Sequence, residues 1–315
     1  MNNIFIAAIL VATVIILRQL GLHRLQTKKN SEPFDGILYA IGESVIAVRA
    51  SAVPPKATVI AMHGFMEDQR YFTGLYTDSE IELILITSAD YHVPVNDAQI
   101  QRPSWEKSIV YEPATIEYDA AVINQALEHL PSTEIIRLHG HSRGGAVILE
   151  AAIQRPELHQ NVEFILEAPV LPQIGFHPNT ERNFSPLGIW LLPFTLPLLA
   201  RLPLTAYGEH LYGDLGSERK REILAGLAST PKHYSTLVKN SKAIRSWART
   251  RQYDVYQLIP RGTLLVGEDE RVLDRDSMLK SAGYAKSSLD IVEVAGTTHF
   301  VTLDKPNCLP PLITP

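Results

Sequence analysis

Ile135-Ile136-Arg137-Leu138-His139-Gly140-His141-Ser142-Arg143-Gly144-Gly145 leads straight into Ala146-Val147-Ile148-Leu149-Glu150-Ala151-Ala152. The apolar run Ile135–Leu138 predicts a strand, and the stretch from Ala146 to Ala152 predicts a helix. Between them a serine stands two residues from a glycine on either side. A turn that tight leaves no room for side chains at Gly140 and Gly144, and it lifts the serine Oγ clear of the strand end. The helix N-terminus behind it supplies free N–H groups and the positive end of a dipole, which favour developing negative charge. The spacing therefore predicts a nucleophile, Ser142, exposed at a strand-to-helix turn.

Further runs extend the pattern on both sides. Ile37–Ile41 and Ser44–Arg49 predict a hairpin about Gly42-Glu43. Ala57–Met62, Ile81–Thr87, Val162–Leu166, Thr263–Val266 and Leu289–Val294 predict strands. Thr115–Leu130 carries Ile116, Ala120, Ile123 and Leu127 at helical spacing. Apolar strands alternating with helices imply an α/β fold: a mainly parallel, doubly wound sheet with helices on both faces. The rhythm breaks between Pro172 and Ile259, where Pro186 to Leu204 is apolar but crossed by prolines. These predict a break in any helix there and argue against a simple membrane span. The expected organisation is an N-terminal hydrophobic anchor (residues 1–25), a linker (26–36), a core (37–171 and 260–315) and an inserted helical cap (172–259).

Composition narrows the function classes. Apolar residues make up 45% and charged residues 20% of 315, enough for one large domain with a sizeable core. A net charge of −5 with no basic stripe gives no reason to expect a nucleic-acid partner. One cysteine, Cys308, makes no intrachain disulfide. Ile4–Leu17 is apolar except for Thr13 and shorter than the roughly 20 residues that span a bilayer. Leu20 and Leu22 extend it, with Arg18 snorkelling toward headgroups. No Lys or Arg precedes the run and no small-x-small site follows it, which argues against a cleaved secretory signal. A buried core helix is the other rival. Arg18, His23, Arg24, Lys28 and Lys29 lie after the run, so the expected address is a membrane with the body on its cytoplasmic side.

Three more sites supply what a serine nucleophile needs. Val294-Ala295-Gly296-Thr297-Thr298-His299-Phe300 sets a histidine in the loop after the last strand, where it serves as the base that accepts the hydroxyl proton. His63, His92, His139, His141 and His210 are competitors, of which His63 and His141 suit loop shaping and His139 belongs to a strand end. Gly267-Glu268-Asp269-Glu270-Arg271 sets carboxylates at the end of the penultimate strand, to hold the base in its tautomer. Glu270 and Asp269 are the candidates, with Glu167 more distant. His63-Gly64-Phe65-Met66 follows a strand, and Gly64 lets the backbone approach closely. The N–H groups of Phe65 and Arg143 are the expected oxyanion donors.

From about Ile37 to Pro306 the chain resembles the α/β-hydrolase superfamily, in its capped serine-hydrolase, esterase- and lipase-like branch. His63-Gly64-Phe65, Gly140-His141-Ser142-Arg143-Gly144-Gly145, Gly267-Glu268-Asp269-Glu270 and Gly296-Thr297-Thr298-His299-Phe300 carry the resemblance. It implies an acid three residues after Gly267, which puts Glu270 ahead of Asp269, although the family more often has Asp there. Serine at position 142 separates the chain from the dehalogenase and epoxide-hydrolase branches, which use aspartate. The implied activity is hydrolysis of a small-molecule carboxylic ester through Ser142, His299 and Glu270, with His63, Gly64, Gly140 and Gly144 shaping the loops. No metal or organic cofactor is expected. The apolar cap and the anchor favour a lipophilic ester, with Leu187 to Leu204 as an access route. A lactonase, thioesterase or carbon–carbon hydrolase would use the same residues. A ligand-binding protein without turnover is a further alternative; a purely structural membrane protein has little beyond the N-terminal run to recommend it. The oligomeric state is not legible.

Overall fold

The apolar runs fold into one sheet because each buries both faces or one face of a strand against helices. The computed structural model describes residues 2–27, 31–49, 51, 53–95, 99–183, 185–199, 217–226 and 232–312. Helix α1 (Asn2–Thr27) comes first. Strands β1 (Ile37–Ile41), β2 (Ser44–Arg49) and β3 (Ala57–Met62) follow, then the short helix α2 (Arg70–Thr73). Next come β4 (Ile81–Thr87), β5 (Ile100–Gln101), α3 (Ile116–His129), β6 (Ile136–His141), α4 (Arg143–Gln154) and β7 (Val162–Glu167). Four described α-helices lie between β7 and β8: α5 (Pro178–Asn183), α6 (Pro186–Leu199), α7 (Glu218–Gly226) and α8 (Tyr234–Thr250). The chain returns through β8 (Arg261–Gly267), α9 (Arg275–Ala282), β9 (Leu289–Val294) and α10 (Val301–Asp304).

Among the described residues the sheet runs β5-β1-β2-β4-β3-β6-β7-β8-β9. β2 pairs antiparallel with β1 and β4, and the remaining pairs are parallel. β3 and β7 are buried at every position, as central parallel strands under two helical layers must be. The period of two sorts their neighbours onto opposite faces. Ile60, Ile84, Leu138, Phe164 and Leu264 pack with Ile123, Ile148 and Trp247 on one side. Val59, Leu83 and Leu85 pack with Tyr71, Phe72 and Phe300 on the other. This α/β architecture is the fold class expected from the alternation of strands and helices.

Two segments differ from expectation. Helix α6 runs through Pro193 and Pro197 as one element, where the prolines predicted a break. A proline cannot donate to the carbonyl four residues back. The carbonyl that Pro193 leaves unpaired, that of Ile189, accepts the Tyr234 hydroxyl instead. Trp190 O accepts from Arg18 Nε at 3.3 Å, and the Thr195 hydroxyl lies 3.4 Å from Leu192 O. A side chain far away in sequence thus replaces the backbone donor missing at Pro193; Ala200 to Leu204 lie outside the described residues. The second difference is in the polar segment after α1. Glu32 bridges to Val95 and pairs with Arg219 at 2.7 Å, so this part of the expected linker is docked on the body.

Candidate active site

Ser142 stands between β6 and α4 with φ 51°, ψ −116°, a conformation that costs an L-residue energy unless its surroundings impose it. They do so here through three backbone hydrogen bonds. Its N–H donates to Glu167 O at 2.8 Å, and its carbonyl accepts from Gly145 N at 3.0 Å and Val170 N at 2.9 Å. The flanking glycines are obligatory because a Cβ on Gly140 would strike the backbone of Gly144, and one on Gly144 the carbonyl of Met62. Arg143 opens α4, so its N–H has no carbonyl within the helix to bond. Its guanidinium turns inward, to Asp119 Oδ2 at 2.6 Å and Ser88 Oγ at 3.0 Å.

His299 lies in the loop between β9 and α10. The Thr298 N–H and hydroxyl both donate to Asp304 Oδ2 at 2.8 Å, fixing the loop next to it. The His299 ring meets Glu270 directly, Nδ1 to Oε2 at 2.7 Å. The other oxygen of Glu270 accepts from Val272 N at 2.7 Å and Leu273 N at 3.0 Å. Burial alone would raise the Glu270 pKa, but the charge and hydrogen bond of His299 and the two backbone donors bring it below the usual carboxylate value. The neighbouring Asp269 is turned out to Arg271, at 3.5 Å. Glu167 is also engaged elsewhere. It accepts from Tyr71 at 2.7 Å, Thr302 N at 2.6 Å and His139 at 3.0 Å. Burial opposes its ionisation, yet the His139 hydrogen bond and the charges of His141 and His139 hold its pKa at about 2.

The competing histidines take other partners. His63 pairs its Nδ1 with Gly64 O at 2.8 Å while Ser88 N donates to its Nε2 at 3.2 Å, and burial lowers its pKa. This neutral ring shapes the loop that carries Phe65. His139 is held between Tyr76 and Glu167, and His92 is half-buried in the segment after β4. His210 lies outside the described residues.

His141 has the greatest reach of these. Its Nδ1 meets Glu67 Oε2 at 2.7 Å, its Nε2 donates to the His299 carbonyl at 2.9 Å, and its ring stacks on Tyr71 at 4.3 Å. The same Glu67 oxygen accepts from Gly64 N at 2.8 Å. One buried ion pair therefore ties together the Phe65 loop, the Ser142 turn and the His299 loop. Burial would lower the His141 pKa, but the charge and hydrogen bond of Glu67 raise it to about 9. Glu67 escaped the sequence reading because its partner is distant in the chain; its one local signal is an acid three residues after Gly64.

A raised pKa means the pair stabilises the fold fully below the unfolded value of 6.5 and loses that contribution as pH climbs through about 9. Glu67→Gln, which strands the imidazole without its counter-charge, is expected to cost about 3–5 kcal/mol. Thermal unfolding recorded from neutral to alkaline pH checks this. The wild type should lose Tm steeply toward about pH 9, and the variant, already lower, should lose much less.

Ser142 opens on a cavity whose walls include Phe65, Val170, Phe176, Ile244, Val272 and Leu273. Its polar lining comes from Thr180, Ser241 and Arg245, and Arg245 is itself paired with Glu181 at 2.7 Å and stacked over Phe176 at 4.9 Å. Such a wall suits an apolar group close to the serine hydroxyl.

Comparison with known proteins places the chain in a family. A family model described as "Alpha/beta hydrolase family" matches residues 59–307, most of the chain. No curated protein matches the sequence. Among solved structures, an esterase from Exiguobacterium antarcticum shares 14% identity over 87% of this chain and 96% of its own, with a TM-score of 0.62. E-2-(acetamidomethylene)succinate hydrolase shares 14% over 87% and 96%, with a TM-score of 0.60. Naproxen esterase from Bacillus subtilis shares 12% over 93% and 94%, with a TM-score of 0.55. At these identities the likeness is one of fold.

Proposed function

The chain belongs to the alpha/beta hydrolase family, and on that premise we propose that it hydrolyses carboxylic esters with an apolar acyl or alcohol part through Ser142, His299 and Glu270. The observation that carries this reading is the 2.7 Å contact of His299 Nδ1 with the buried Glu270 carboxylate, in a loop whose His299 carbonyl is bonded by His141, the residue before Ser142 in its strained strand-to-helix turn. With Nδ1 committed to Glu270, His299 has Nε2 left to take the Ser142 proton. Ser142 Oγ attacks the ester carbonyl. The resulting oxyanion is stabilised by the N–H groups of Phe65 and Arg143, each worth about 3 kcal/mol in the transition state. His299 then protonates the departing alkoxide and activates a water that releases the acid. The described parts of the segment between β7 and β8 act as a cap over the site, with Phe176, Thr180, Ser241, Ile244 and Arg245 on its cavity wall. Helix α1 includes one stretch, Asn3–His23, long and apolar enough to cross a membrane, and it anchors the body on the cytoplasmic side.

A panel of esters from acetate to palmitate tests the substrate class. Each methylene that enters the cavity removes apolar surface from water, worth about 0.8 kcal/mol or roughly fourfold in kcat/KM. The expected profile rises with acyl length until the cavity is filled. A profile that peaks at acetate and is indifferent to membranes would contradict the lipophilic assignment.

A further inference from the structure

We propose that helix α6 lies on the bilayer surface beside the anchor and sets the Ser142 cavity against lipid, so that the ester is taken from the membrane rather than from water. The inference rests on reading α1 as a membrane anchor, and it adds a second lipid-contacting element with a definite depth.

The depth follows from where the two helices meet. Arg18 lies 5.4 Å from the Trp190 ring centroid and 5.1 Å from that of Tyr234, and its Nε donates to Trp190 O at 3.3 Å. Three residues on, the backbones of Gly21 and Pro193 come so close that a Cβ on Gly21 would lie 2.7 Å from Pro193 O. Arg18 and Gly21 sit at the C-terminal end of the apolar stretch Asn3–His23. A helix rises about 1.5 Å per residue, so Gly21 is roughly one turn or less from the point where the chain leaves the hydrocarbon. Whatever touches Gly21 is at headgroup level.

The composition of α6 fits that level. From Pro186 to Leu199 it has no charged residue. One side is covered by the body, where Leu192 packs with Met66 and Leu237 and is supported by Ile189 and Tyr234. The other presents Leu187, 67% exposed, and Trp190, 38% exposed, three residues apart on one face. At fourteen residues it is too short to span a bilayer itself. An uncharged helix with an exposed leucine and a tryptophan, held at headgroup level, matches an element lying in the interface plane. It also reaches the chemistry, because Met66 under Leu192 adjoins Phe65, which lines the Ser142 cavity. The occupant of this face is therefore a lipid surface, continuous with the anchor.

Tryptophan quenching reads this directly. The full-length chain is reconstituted in phosphatidylcholine vesicles whose acyl chains carry bromine near the headgroup. Of the three tryptophans, Trp247 is buried and Trp105 is stacked on His129, well away from α6 in sequence. The expected result is partial quenching in the wild type that Trp190→Phe removes. In the same vesicles, Leu187→Glu with Trp190→Glu is expected to slow hydrolysis of a vesicle-borne palmitate ester by about tenfold or more, with a dissolved acetate ester unchanged to within about twofold. A chain that fails to float with the vesicles overturns the anchor and this proposal together. One that floats, yet shows no Trp190 quenching, overturns the α6 assignment alone. Cross-linking of Trp190 neighbours into a dimer without quenching gives the face to a second copy of the chain and likewise overturns it.

Discussion

Ser142→Ala is expected to lower kcat/KM by about 10⁴- to 10⁶-fold and to abolish labelling by a fluorophosphonate, with the fold intact. The size of the loss reflects what the hydroxyl does: without Oγ no acyl-enzyme forms. The residual rate is whatever the cavity and the two backbone donors extract from direct attack by water. The substitution is a clean test because the hydroxyl has no structural duty. Ser142 precedes α4 without capping it through its side chain, and the turn is held by its backbone N–H and carbonyl, which alanine keeps. Circular dichroism and Tm should therefore match the wild type closely. Labelled wild-type protein, digested and read by mass spectrometry, should carry the adduct on the peptide containing Ser142. Persistent labelling of the alanine variant would falsify the assignment of the nucleophile.

The parts of this molecule that were legible in sequence are those set by short-range pattern. Six consecutive buried positions in β3 and in β7 favour apolar residues, which Ala57–Met62 and Val162–Glu167 mostly supply, while the buried exceptions are paired, Thr58 with Glu82, Glu163 with Arg137 and Glu167 with His139. The Ser142 turn is legible for a similar reason: its glycines are demanded by contacts with residues only four apart and with one neighbouring strand. What escaped depends on partners far along the chain. Proline spacing predicts a break in α6, and nothing local reveals that a Tyr234 hydroxyl will take up the carbonyl of Ile189 that Pro193 orphans. Glu67 reads as one acid among several in a loop until His141 is folded against it. Likewise Asp269 and Glu270 are neighbours of similar chemistry. Which of them turns inward is decided by the Val272 and Leu273 N–H groups, which form a seat for one carboxylate oxygen two and three residues after Glu270.

That seat makes the two acids separable by experiment. Glu270→Gln is expected to lower kcat by about 10⁴-fold, and Asp269→Asn to change it by less than about threefold. Gln is isosteric, and its carbonyl oxygen can keep the hydrogen bonds from Val272 and Leu273 N–H. Its amide then points NH2 at His299 Nδ1, which must accept instead of donate. The ring proton moves to Nε2, where the base needs a lone pair for the Ser142 hydroxyl, and the developing imidazolium loses its counter-charge. Asp269, by contrast, is half-exposed and pairs with Arg271, while the His299 ring pairs with Glu270. The pH dependence carries an independent sign. Because the Glu270 pKa is depressed in the folded state, its stabilisation is present above the unfolded value of 4.5 and is lost as pH falls through the lower folded value. Glu270→Gln should therefore flatten the acid limb of a Tm-against-pH curve, which Asp269→Asn leaves steep. Equal losses of activity in the two variants, or a Glu270→Gln enzyme turning over at wild-type rate, would remove Glu270 from the mechanism whatever its distance from His299.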